Sequence, residues 1–105
     1  MTSLSTHVLD AVRGVPAAEV GVWLTHGDRR VAEALTDADG RIKELAAGLN
    51  PGDYLLHFDT GAYFAAQGVE TFYPQVVVTF TVGEQSHLHV PLLLSPFAYS
   101  TYRGS

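Results

Sequence analysis

The chain has 105 residues, is 47% hydrophobic and 16% charged, and carries a formal net charge of −5 at neutral pH. That length and balance predict one globular domain over residues 1–105, and the acidity without any basic run excludes nucleic acid and anionic membrane surfaces as expected partners. Cysteine is absent, which rules out disulfides, thiolate zinc sites and a thiol nucleophile.

The first residues, MTSLSTHVLDAVRG, lack the basic-then-apolar pattern of a secretory leader. No run approaches the roughly 18 apolar residues of a membrane span, so a cytoplasmic location is expected. In chain order, the first extended candidate is Leu4–Leu9. AEVGVWLT follows, with Val20, Val22 and Leu24 on one face and Gly21 and Trp23 on the other. Arg30–Leu35 and Arg41–Leu45 come next, and then YLLHF, where Tyr54, Leu56 and Phe58 oppose Leu55 and His57. QVVVTFTV alternates most cleanly, setting Val76, Val78, Phe80 and Val82 against Val77, Thr79 and Thr81. Period-2 alternation marks a strand with two different environments. Turns are signalled by Gly27-Asp28, Asp39-Gly40, Asn50-Pro51-Gly52 and Gly83-Glu84.

One segment departs from this pattern. Asp59–Gly68 (DTGAYFAAQG) is rich in alanine, offers Asp59 or Thr60 as N-cap and ends on a glycine, which predicts one short helix. With His87–Leu94 and Ala98–Arg103 as the last extended runs, about eight short strands and one helix predict an all-β fold, a two-sheet antiparallel β-sandwich. Along His87–Leu94, Leu88, Val90, Leu92 and Leu94 share the core face, while His87, His89 and Pro91 share the outer one. Pro91 cannot donate to a ladder, so an edge or bulge is expected beside it.

Two chemistries are open to the polar residues. His87 and His89, at i and i+2 on a strand, project the same way and with a third ligand such as His7 could hold zinc; no third ligand is fixed by the sequence, and the plainer reading is two solvated histidines on an outer face. Alternatively, a histidine deprotonates water while an arginine holds an anionic substrate and steadies an oxyanion, with no metal. An arginine there would also lower the pKa of a neighbouring histidine and keep it basic. Asp37-Ala-Asp39-Gly40 lacks the remaining ligands of a calcium loop and reads as a β-turn.

Four stretches, LSTHVLDAVRGVPAAEVGVWL (4–24), TDADGRI (36–42), TGAYFAAQGVETFYPQVVVTF (60–80) and HLHVPLLLSPFAYSTYRGS (87–105), resemble the transthyretin-like family in its 5-hydroxyisourate hydrolase branch. The ending Tyr102-Arg103-Gly104-Ser105 is the most specific part, and separates the hydrolases from the hormone carrier of the same fold. The resemblance implies a homotetramer of β-sandwiches around a central channel. It also implies cofactor-free hydrolysis of a cyclic amide bond in 5-hydroxyisourate, giving 2-oxo-4-hydroxy-4-carboxy-5-ureidoimidazoline. It carries the catalytic roles onto His7, Arg41, His89 and Tyr102, puts Arg103 and Ser105 against the substrate, and leaves His87 a bystander. Gln75 stands where the family pattern leads one to expect an acidic residue. A carrier of a hydrophobic ligand is the rival expectation, opposed by the charge and polarity of this residue set.

Overall fold

The strands and helix run β1 (Thr2–Asp10), β2 (Val15–Pro16), β3 (Gly21–His26), β4 (Arg29–Leu35), β5 (Arg41–Leu49), β6 (Gly52–Phe58), α1 (Thr60–Ala65), β7 (Val76–Val82), β8 (His87–Ser95) and β9 (Ala98–Thr101). The computed structural model describes all 105 residues. The strands form two sheets: β4-β3-β6-β7, and a second ordered β2-β1-β8-β9, in which β5 also pairs with β1. The expected sandwich with one short helix is therefore present, with β2 as an additional two-residue pairing. Every paired neighbour is antiparallel except β1 with β8. A parallel neighbour needs a long crossover, and here the entire other sheet supplies it.

Alternation works as the residues dictate. Leu4 and Val8 of β1, Val22 and Leu24 of β3, Tyr54, Leu56 and Phe58 of β6, Val76 and Val82 of β7, and Leu88, Val90, Leu92 and Leu94 of β8 are buried between the sheets. Residues of opposite parity face outward. On the outer face of the β3–β6 sheet, Trp23 stacks on His57 with ring centroids 4.9 Å apart, and Arg30 lies 5.1 Å above the Trp23 ring.

The helix begins as expected, with the Asp59 side chain accepting from the Ala62 N–H at 3.2 Å. It is shorter than the Asp59–Gly68 segment because the chain closes on itself first. Gly68, at φ +67°, donates to Ala65 O, and Val69 donates to Phe64 O, the pair of bonds that ends many helices. Tyr63 then ties the helix to β1: its hydroxyl donates to Asp10 Oδ2 at 2.8 Å, while Asp10 Oδ1 accepts from the Val12 and Arg13 N–H groups. Asp10 is only 2% exposed, so these bonds satisfy a buried carboxylate. Burial, then the Asp10 bond, raise the Tyr63 pKa above its ordinary value.

Pro91 sits in an interior strand, yet the expected edge is present locally. The β8–β9 ladder covers only Leu92–Ser95 and stops at Thr101. Backbone groups of odd-numbered β8 residues point toward β9, as shown by Gly104 N–H donating to His89 O at 2.9 Å, whereas Val90 and Leu94 carbonyls point toward β1. The register resumes unchanged at His89 opposite Gly104. Pro91 therefore stands opposite Tyr102 at a hydrogen-bonded position of the ladder, with no N–H to give. Its carbonyl accepts from the Thr101 hydroxyl at 2.8 Å instead. The strand expected to reach Arg103 ends two residues earlier for this reason.

Candidate active site

The outer face of the β5-β1-β8 sheet is where the polar residues gather. Because β1 and β8 run parallel, Ser3 pairs with His87, Ser5 with His89 and His7 with Pro91. On the other side of β1, His7 pairs with Arg41. His7, Arg41 and His89 thus come from three adjacent strands and share one face.

Each is oriented by its surroundings. Asp37 Oδ1 accepts from the backbone N–H groups of Asp39 and Arg41, both at 2.9 Å, which closes the turn that launches β5. The Arg41 bond is the main cause of a lowered Asp37 pKa. Gly40 lies in this turn at φ +73°, and a Cβ there would meet the carbonyl oxygen of Val8, so only glycine fits. The turn in turn presents the Asp39 carbonyl, which accepts from His7 Nε2–H at 2.9 Å. A neutral His7 held this way keeps its lone pair on Nδ1. Arg41 is exposed and makes no ion pair; the chain's one ion pair is Arg30 with Glu33. An unpaired guanidinium is free to take an anionic group.

His89 is half-buried, with Nδ1 2.7 Å from Ser5 Oγ and no hydrogen-bond partner on Nε2. Burial first, then the positive charges of Arg41, His7 and His87, hold its pKa below the ordinary histidine value. It is therefore neutral, and a competent base, near neutral pH. Gly104 lies close against this ring: a Cβ at that position would fall 2.5 Å from His89 Cδ2. Close approach of backbone to imidazole explains a glycine in the terminal Tyr-Arg-Gly-Ser.

Arg41, Lys43, His89 and Ser105, with Ser5 and Thr6, line an open cavity of about 220 Å³. His89 also borders a second cavity of about 350 Å³, whose walls include Val78, Phe80, Leu88, Tyr102 and Arg103. Of the expected site residues, Arg41, His89 and Ser105 meet in the first cavity, and His7 adjoins Arg41 through its strand register. Tyr102, 60% exposed, and Arg103 stand on the other flank of His89. Ser5 and Lys43 are residues that motif reading missed, and Gly104 was seen in the terminal motif without a role. Lys43 was visible as the i+2 neighbour of Arg41 on one strand, but Ser5 emerges only from the parallel register. His87 and His89 do face the same way, but a hydroxyl bridges them, and no group of three metal-ligating side chains forms.

Known proteins carry the same architecture. A 5-hydroxyisourate hydrolase from Caulobacter vibrioides is 47% identical, with the alignment covering 100% of both chains. The structure of Klebsiella pneumoniae 5-hydroxyisourate hydrolase superposes with a TM-score of 0.96 at 42% identity, again covering 100% of both. Sparus aurata transthyretin superposes with a TM-score of 0.89 at 34% identity, covering 96% of this chain and 95% of its own. Residues 4–104 match the model of the HIUase/Transthyretin family. In sequence and in sheet topology alike, this chain belongs to the HIUase/Transthyretin family.

Proposed function

We propose that the chain is a 5-hydroxyisourate hydrolase, opening a cyclic amide of that purine derivative to give 2-oxo-4-hydroxy-4-carboxy-5-ureidoimidazoline in urate degradation. One observation carries the choice over a transthyretin-like carrier: an unpaired Arg41 and a neutral, Ser5-held His89 line one polar cavity. Such a lining suits a small polar ring, and catalysis lives in the site rather than in the fold. The relatives named 5-hydroxyisourate hydrolase support the same reading.

In this mechanism His89 Nε2 takes a proton from water as the oxygen attacks the ring carbonyl. Arg41 holds the substrate and stabilises the oxyanion, on which charge is greater in the tetrahedral intermediate than in the ground state. His7, fixed by the Asp39 carbonyl, orients the substrate beside Arg41, and Ser105 contacts it from the tail. Tyr102 and Arg103 close the approach from the far side of the His89 ring. No step is assigned to a metal or cofactor.

We further propose a cytoplasmic homotetramer. No helix is long and apolar enough to cross a membrane. Exposed Phe72, Phe97 and Tyr99 supply apolar surface suited to a second subunit. The deciding assay follows the absorbance of freshly generated 5-hydroxyisourate against its spontaneous decay. Acceleration by the purified protein is expected, and an unchanged decay rate would exclude the enzyme reading.

A further inference from the structure

From the hydrogen-bonded chain Ser3–His87–Ser5–His89 on the outer sheet face, we infer that His87, through the Ser5 hydroxyl, is a positioning and proton-relay residue for His89. This rests on the reading of His89 as the base. The chain is continuous. Ser3 Oγ lies 2.6 Å from His87 Nδ1, Ser5 Oγ lies 2.8 Å from His87 Nε2, and Ser5 Oγ lies 2.7 Å from His89 Nδ1. Ser5 is 8% exposed, so water does not readily compete for its single proton.

A serine hydroxyl has one hydrogen, so Ser5 donates to at most one imidazole; to carry a proton between the two rings it donates to one and accepts from the other. The chain therefore has two polarities. In one, His89 donates Nδ1–H to Ser5 Oγ, Ser5 donates its hydroxyl proton to His87 Nε2, and His87 donates Nδ1–H to Ser3 Oγ, whose hydroxyl faces the Ser86 carbonyl at 3.4 Å. That leaves the lone pair of His89 on Nε2, where a base needs it. In the reverse polarity His89 carries its proton on Nε2, where an acid needs it.

The relay joins the two roles. Water gives a proton to His89 Nε2, the Nδ1 proton passes to Ser5 Oγ, and the Ser5 proton passes to His87 Nε2. His89 ends neutral with its proton on Nε2, and the one positive charge rests on His87. When the ring C–N bond breaks, the Nε2 proton goes to the departing nitrogen and the two relay protons return. A cation held on His89 itself would sit half-buried among Arg41, Lys43, His7 and, across the second cavity, Arg103. His87 is exposed and its charge is solvated. Transferring the charge outward lowers the energy of the intermediate at the moment Arg41 is engaged with the oxyanion.

The test uses His87→Gln, Ser5→Ala and the double variant in the full chain. Each single change is expected to lower kcat about tenfold to a hundredfold with KM little altered. The double variant should match Ser5→Ala alone, since both remove one pathway. Losses that multiply, or an unchanged kcat in His87→Gln, would overturn the relay while leaving the hydrolase reading intact. Histidine side-chain ¹⁵N spectra provide a readout independent of turnover. The His89 tautomer should change in Ser5→Ala and in His87→Gln; a tautomer untouched by both overturns the inference even if the wild-type protein proves inactive toward 5-hydroxyisourate.

Discussion

Substituting Gly104 by alanine would place a Cβ 2.5 Å from Cδ2 and 3.2 Å from Cγ of His89. Ordinary contact between carbons needs about 3.5–4.0 Å, so ring and tail must separate by about 1 Å. His89 is held on its other side by Ser5 at 2.7 Å and from its own carbonyl by Gly104 N–H at 2.9 Å. It cannot move away from the methyl group without straining one of these bonds. A misplacement of about 1 Å in a reacting group reduces turnover by about a hundredfold. Gly104 lies beyond the end of β9 and outside the buried core, so the fold should be unaffected. Gly104→Ala should therefore lose about a hundredfold in kcat while its thermal midpoint stays close to wild type. Absorbance kinetics and a melting curve on the same preparation read both quantities. Wild-type kcat in Gly104→Ala would refute the packing argument, and a large fall in melting temperature would refute the separation of site from fold.

The other expectations concern charge and burial. Arg41→Ala should reduce kcat by about 10²–10³-fold with the oligomeric state of the wild type unchanged, because the side chain is exposed and unpaired; size-exclusion chromatography and the absorbance assay check the two halves. The lowered His89 pKa places the acid limb of kcat/KM below pH 6.5, the ordinary histidine value, since the base is lost only as pH falls through its own pKa. Arg41→Gln removes a cation that, with burial, His7 and His87, disfavours protonated His89, so the limb should move to higher pH in a pH–rate profile. A downward or absent shift would show that Arg41 does not bear on His89. Tyr63→Phe should destabilise the fold by about 1–3 kcal/mol in urea titration, because it leaves a buried Asp10 oxygen without its donor, and kcat should be unchanged.

Which face each residue takes was legible in the chain, and which neighbour it meets was not. Alternation placed Leu88, Val90, Leu92 and Leu94 inside and His87 and His89 outside, and the structure agrees. The N-cap at Asp59 and the left-handed Gly68 were legible because both are local, a side chain bonding three residues on and a backbone angle only glycine takes easily. Strand neighbours depend on tertiary pairing, to which a period of two is blind. The parallel β1–β8 register therefore escaped, and with it Ser5, which only that register brings between two imidazoles. The His87 contact with Ser5 escaped for the same reason: its partner lies across a strand boundary. Gly104 could be recognised as part of a motif, but its cause, contact with a ring fifteen positions earlier in the chain, needs the folded register.

The terminal residues make physical sense only through Pro91. A central strand with a full set of N–H groups would let β9 continue its ladder past Thr101, locking Tyr102 and Arg103 flat into the sheet edge. Proline removes the one donor that faces Tyr102, while β8 loses nothing toward β1, because there the even-numbered residues carry the bonds. The tail is thus released for two residues and caught again at Gly104 by the His89 carbonyl. That interruption leaves Tyr102 and Arg103 on one flank of the imidazole and Ser105 on the other. A single residue type without an N–H, in register with His7 on one side and the tail on the other, lets one strand serve both as sheet interior and as the wall of a polar cavity.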